Sequence, residues 1–248
     1  MTDLIVLLLV SAVAAGLLLA ASKRKKQRED AKLRITPPLD AIPVDDTPDR
    51  PQPFGYKAQW YAVRTTDTRA VVEAFGLREP VPCNWNSGLR LAAAFSAVFV
   101  TPPLGEWTLV TGWSLPDLSS SQEEAYSVTS LLTKLSRRFG EAHYYATHRV
   151  VEYHAWVKAA EGKLVRGCSY VGESDSGVLD CGDSTPEERS LGLHFEDRAS
   201  QEEEGKGDGR PTEEDVLAMA GMWSVNPLMP PDEQAGVGWA GGLPRRDA

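Results

Sequence analysis

Leu4 to Ala21 is a run of 18 apolar or small residues without a charge, and seven basic residues follow it by position 34: Lys23, Arg24, Lys25, Lys26, Arg28, Lys32 and Arg34. As a helix the run would be about 27 Å long, close to the ~30 Å hydrocarbon core of a bilayer. Ser11 and Gly16 are its only breaks, so it lacks the polar stripe of a core helix. No basic residue precedes it, which is unlike a secretory signal, although Ala-x-Ala-like sites around Ala12–Ala15 and Ala20–Ser22 leave cleavage open. The charge asymmetry holds the C-terminal flank inside the cell. The expectation is a single-pass anchor in the bacterial inner membrane with a cytoplasmic C-terminal domain. Lys23, Arg24, Lys25, Lys26 and Arg28 would flank the membrane, where they can also meet anionic headgroups.

Charge separates this segment from the rest. The chain carries −9, yet its first 34 residues hold seven Lys/Arg against three acids, which leaves −13 on the remainder. An acidic body is repelled by phosphate backbones, so no nucleic-acid partner is expected. The three cysteines, Cys83, Cys168 and Cys181, are odd in number and lack C-x-x-C spacing. They outline neither a disulfide framework nor a zinc finger and suit a reducing compartment.

The pattern divides the chain into an anchor over 1–22, a basic juxtamembrane and Pro-rich linker over 23–53, a globular domain over 54–226 with a disordered acidic loop over 196–211, and a flexible tail over 227–248. The linker holds six prolines between Thr36 and Pro53 and reads as an extended spacer. A strand over Gln59–Val63 precedes a helix capped by Asp67 and closed by Gly76, then a loop over Pro80–Gly88. Ala97–Thr101 and Trp107–Trp113 read as a hairpin. Ser121–Phe139 is the clearest helix, with Val128, Leu131, Leu132, Leu135 and Phe139 in one stripe. Four strands follow as a meander, over Ala142–Thr147, Val150–Ala159, Leu164–Val171 and Val178–Cys181, and Thr212 caps a helix over Glu213–Trp223. The expected class is α+β: one largely antiparallel sheet, a two-strand hairpin plus a four-strand meander, packed against one long amphipathic helix and smaller ones.

No nucleophile elbow, zinc-protease helix, P-loop or dinucleotide fingerprint is present. The densest polar cluster is His143, His148, Glu152 and His154. Read as one strand, His148, Glu152 and His154 share a face. His148 and His154 would then stand roughly 20 Å apart, too far to share an ion, whereas Glu152 and His154, helped by His143, could form a metal or acid–base site. The competing readings are a solvated sheet face and a partner groove. Trp85, between Asn84 and Asn86, is an interface candidate if its loop exposes it.

Trp60–Asp67, Val98–Pro103 and Trp107–Val110, with Ala146–Trp156, Tyr170–Glu173 and Thr185–Glu188, resemble a group of uncharacterised bacterial proteins. The resemblance implies one compact domain and carries over no active site. Together these readings point to a membrane-tethered cytoplasmic domain that binds another protein without catalysis and without a cofactor. The alternative is a hydrolase or metal-dependent enzyme centred on His143, His148, Glu152 and His154.

Overall fold

The computed structural model describes residues 43–94, 97–119, 121–172, 179–193, 210–231 and 234–244, all within one compact unit. In chain order the elements are β1 (Ala58–Val63), α1 (Thr68–Phe75), β2 (Arg78–Cys83), α2 (Trp85–Ala93), β3 (Val98–Leu104), β4 (Trp107–Thr111), α3 (Gln122–Phe139), β5 (Glu141–His148), β6 (Tyr153–Ala160), β7 (Lys163–Val171), β8 (Asp180–Cys181), α4 (Pro186–Ser190), α5 (Glu213–Trp223) and β9 (Gly238–Gly242).

The expected class needs correction. Hairpin and meander are not separate units: among the described residues nine strands form a single antiparallel sheet in the order β2-β9-β3-β4-β1-β5-β6-β7-β8, with few helices around it. The join is β1, which pairs with β4 on one side (Trp60 opposite Thr111) and with β5 on the other (Trp60 opposite Tyr145). The membrane reading is corrected as well. Among the described residues no helix is long and apolar enough to cross a membrane. The segment Leu4–Ala21 and the basic residues Lys23 to Arg28 lie outside the described residues, and the single-pass anchor and inner-membrane location are set aside.

Helices lie on both faces of the sheet, so the central strands are buried on both sides; β5 is solvent-free from Ala142 to Thr147. On one face α1 and α3 pack onto Tyr61, Val63, Tyr144, Val157 and their neighbours. Local signals set these helices. Asp67 accepts from the Ala70 N–H, Gly76 takes the left-handed conformation at φ 62°, and Ser121 accepts from the Glu124 N–H. The opposite face carries Trp60, Phe99, His143, Tyr145, His154 and Trp156, covered by α2, α4 and α5.

Three segments read as irregular are ordered parts of this unit. Pro80 and Pro82 stand in β2, an edge strand where missing N–H donors cost no ladder bonds. The supposed tail supplies β9, which inserts between β2 and β3. Its glycines permit this: a Cβ on Gly238 would lie 2.3 Å from the Val100 carbonyl oxygen. Part of the supposed spacer also docks. Asp49 accepts from the N–H groups of Trp85 and Asn86 at 2.6 and 3.1 Å, and the Asp45 N–H donates to Ser87 Oγ at 3.0 Å, so the chain closes the N-terminus of α2.

Candidate functional site

The structure separates the residues that the sequence placed on one face. Residues 149–152 form a turn, with β5 ending at His148 and β6 beginning at Tyr153. Because Thr147 pairs with His154, His143 and His154 share the face under α5, whereas His148 lies on the other face with Tyr144 and Ala146. Glu152 sits in the turn itself at φ 49°.

His143 is fully buried in a closed network. Its Nε2–H donates to Glu141 at 2.9 Å, and its Nδ1 accepts from the Tyr145 hydroxyl at 3.1 Å, which also meets Ser224 Oγ at 3.1 Å. Its ring packs between Trp107 and Trp223, centroids 4.9 and 5.6 Å away. Burial lowers the pKa of the imidazole, so it stays neutral. The hydrogen bond from His143, with a further bond from Lys158, holds Glu141 at about 2. Carboxylate, imidazole and hydroxyl are aligned as in a nucleophile-activating relay, but both ring nitrogens are occupied and the aromatic rings cover the imidazole. The chain fastens α5 to the sheet.

His148 lines a small cavity of about 130 Å³ with Gln59, Asp117, Val151 and Tyr153, and its Nδ1 is buried without a hydrogen-bond partner among the described residues. Trp85 is not in a loop. It is the first residue of α2, only 1% exposed, with its ring edge-on to Phe99 at 5.7 Å, and it offers no surface to a partner.

Glu152 and His154 do come together. They line a cavity of about 310 Å³ with Arg149, Tyr170, Arg210, Pro211, Thr212 and the first residues of α5, Glu213 and Glu214. The floor is a cross-strand pair, His154 opposite Tyr170. His154 is 4% exposed. Its Nδ1 meets Thr147 Oγ1 at 3.0 Å, and that hydroxyl donates to Glu213 Oε2 at 3.2 Å. Glu213, which also accepts from the Lys57 N–H at 3.3 Å, has only acceptor oxygens when ionised. The single hydroxyl hydrogen therefore goes to Glu213, and Thr147 must accept from Nδ1–H. That fixes the tautomer: Nε2 carries the lone pair. Among the described residues nothing donates to it. Burial holds the imidazole at about 4, against the opposing influence of Asp215 and Glu214, so near neutrality it is an uncharged acceptor.

Thr147, Glu213 and Tyr170 were not singled out from sequence. The His154–Thr147 and His154–Tyr170 pairs follow once the register of β5, β6 and β7 is known. Glu213 arrives from 59 positions downstream, which no local pattern announces. A second buried polar centre was also missed: Glu188, fully buried, accepts from Trp156 Nε1 at 2.7 Å and from Arg166 Nε at 2.9 and 3.0 Å.

No family model matches the chain, and no curated protein or solved structure matches it.

Proposed function

We propose that this chain is a protein-binding domain whose recognition face is the β5–β6 turn together with the cavity beneath it. One observation carries the reading: Nε2 of His154, which has no hydrogen-bond partner among the described residues, belongs to a cavity lined by Arg149 and Glu152, the two residues that bracket Val150 and Val151 in the turn, 67% and 39% exposed. An apolar tip beside a polar pocket is the arrangement of an interface anchor with its specificity contact. Glu152, Arg149 and Glu214 supply a charged rim.

The enzymatic alternative has less support. A general base works best with a pKa near the operating pH, and His154 is held at about 4. Among the described residues no group of three or more His, Cys, Asp or Glu side chains is placed to hold a metal ion.

The test uses the full chain as bait in four forms: wild type, Val150→Asp/Val151→Asp, His154→Asn, and Leu164→Asp as an exposed apolar control on β7. The expected result is a protein captured by wild type and control and lost by both face variants. Its binding must then be reproduced by calorimetry with the two purified proteins. Capture that ignores both face variants overturns the assignment.

A further inference from the structure

We propose that the His154 cavity is a cation-recognition site, in which Nε2 of His154 accepts a hydrogen bond from a guanidinium or ammonium group while Glu152 and Glu214 neutralise its charge from the rim. The inference deepens the proposed function and rests on it for the source of the cation, a basic side chain of the partner.

The chemistry starts from the acceptor. The Glu213–Thr147–His154 chain leaves only a lone pair facing the cavity, so the complementary group must donate. The rim then selects among donors. Among the described residues the side chains of Glu152 and Glu214 make no hydrogen bond or ion pair, and the charges that act on the imidazole are the carboxylates of Asp215 and Glu214. Their field favours a positive group beside the ring. The acidic body of the chain acts in the same sense.

An anion is the competing ligand, because Arg149 and Arg210 also stand at the rim and a helix begins there. The helix start carries its own capping box. The Thr212 N–H donates to Asp215 Oδ2 at 2.8 Å and the Asp215 N–H to Thr212 Oγ1 at 3.2 Å, and Glu213, Glu214 and Asp215 fill the first turn. These three carboxylates oppose an anion at that terminus. An acceptor nitrogen offers an anion nothing.

The experiment is a titration of the full chain carrying ¹⁵N-labelled histidine. The probes are Nα-acetyl-arginine amide and Nα-acetyl-lysine amide, with Nα-acetyl-glutamine amide and Nα-acetyl-glutamate amide as neutral and anionic controls. The expected result is a saturable upfield shift of the His154 Nε2 resonance with the cationic probes alone, with Nδ1 remaining protonated. Affinity should fall at least tenfold in Glu152→Gln/Glu214→Gln. The response should vanish in His154→Asn and return in part in His154→Gln, whose amide oxygen can reach the Nε2 position. No saturable shift with either cation, an equal response to the controls, or undiminished affinity in the Glu152→Gln/Glu214→Gln variant overturns the proposal.

A short peptide with one arginine between apolar residues distinguishes the sources. Tighter binding than the isolated side chain, abolished by Val150→Asp/Val151→Asp, identifies a protein side chain; affinity equal to that of the single amino-acid amide identifies a free cation, and either confirms the site. The two readings fail separately. If the probes do not bind while a partner still requires Val150 and Val151, the cation site falls alone. If the probes bind while partner capture ignores the turn, the protein-binding face falls alone.

Discussion

Because the acceptor state of His154 depends on its remaining neutral, the fold should weaken in mild acid through this one residue. The unfolded imidazole takes up a proton below about 6.5, whereas the folded one resists until about 4. Between those values the unfolded state binds the extra proton, so stability falls as pH falls through that window and is fully present above it. At about 1.4 kcal/mol per unit the whole gap is worth about 3 kcal/mol, of which about 2.5 is lost by pH 4.5. The groups facing the ring set the sign. Glu214 and Asp215 of α5 favour the proton; Thr147 of β5, locked by Glu213, accepts from Nδ1–H in either state; Tyr170 of β7 forms the floor; Arg149, Glu152 and Arg210 stand at the rim. Urea unfolding from pH 7 to pH 4.5 would measure the effect for wild type and for His154→Asn, whose amide can still donate to Thr147. Stopping at pH 4.5 excludes Glu141, whose depressed carboxyl contributes stability that disappears only between about 4.5 and about 2. His143 is lowered by burial in both proteins and cancels in the comparison. The wild-type curve should fall about 2.5 kcal/mol further than the variant's; curves parallel to within about 0.5 kcal/mol would refute the assignment of a buried, neutral imidazole.

Local signals in the sequence were strong where the chain decides its structure locally. The Asp67 cap and Gly76 stop bounded α1, and the Ser121 cap with its apolar stripe bounded α3. What could not be read was pairing between distant segments. Nothing in Gly238–Gly242 signals an interior strand, because glycine lowers intrinsic strand preference; its use here is the close approach of Val100 and Arg78, which exists only after β2 and β3 are in place. Pro80 and Pro82 concealed β2 for a related reason, since only an edge position tolerates them. The site shows the same division. Glu152 and His154 were visible as a polar pair, but the face assigned to His148 was wrong because Arg149–Glu152 turns the chain. The residue that fixes the tautomer of His154, Glu213, comes from a helix whose docking site cannot be known before the sheet exists.

Two remaining predictions concern packing. A Cβ on Gly88 would lie 2.2 Å from the ring of Phe99, which is fully buried. Gly88→Ala should therefore destabilise by about 1–3 kcal/mol through overpacking, although alanine gains about 1 kcal/mol of helix preference; a more stable variant in thermal unfolding would show that Phe99 can retreat. The last concerns Glu188, which joins α4 to the sheet. It receives hydrogen bonds from Trp156, from Arg166 and from the Thr185 N–H, while the other carboxylate on Arg166, Asp180, is 63% exposed at its side chain. Glu188→Ala takes from the Arg166 guanidinium, 2% exposed at its side chain, its buried carboxylate partner, leaves it Asp180 and the carbonyls of Gly167, Cys181 and Gly182, and should cost about 3 kcal/mol. Removing both charges in Arg166→Met/Glu188→Leu should recover most of that loss, because the penalty is a buried charge deprived of its buried counter-charge and not the absence of the pair. If the double variant is as unstable as Glu188→Ala in urea unfolding, the hydrogen bonds from Trp156 and Thr185, rather than the ion pair, hold α4 to the sheet.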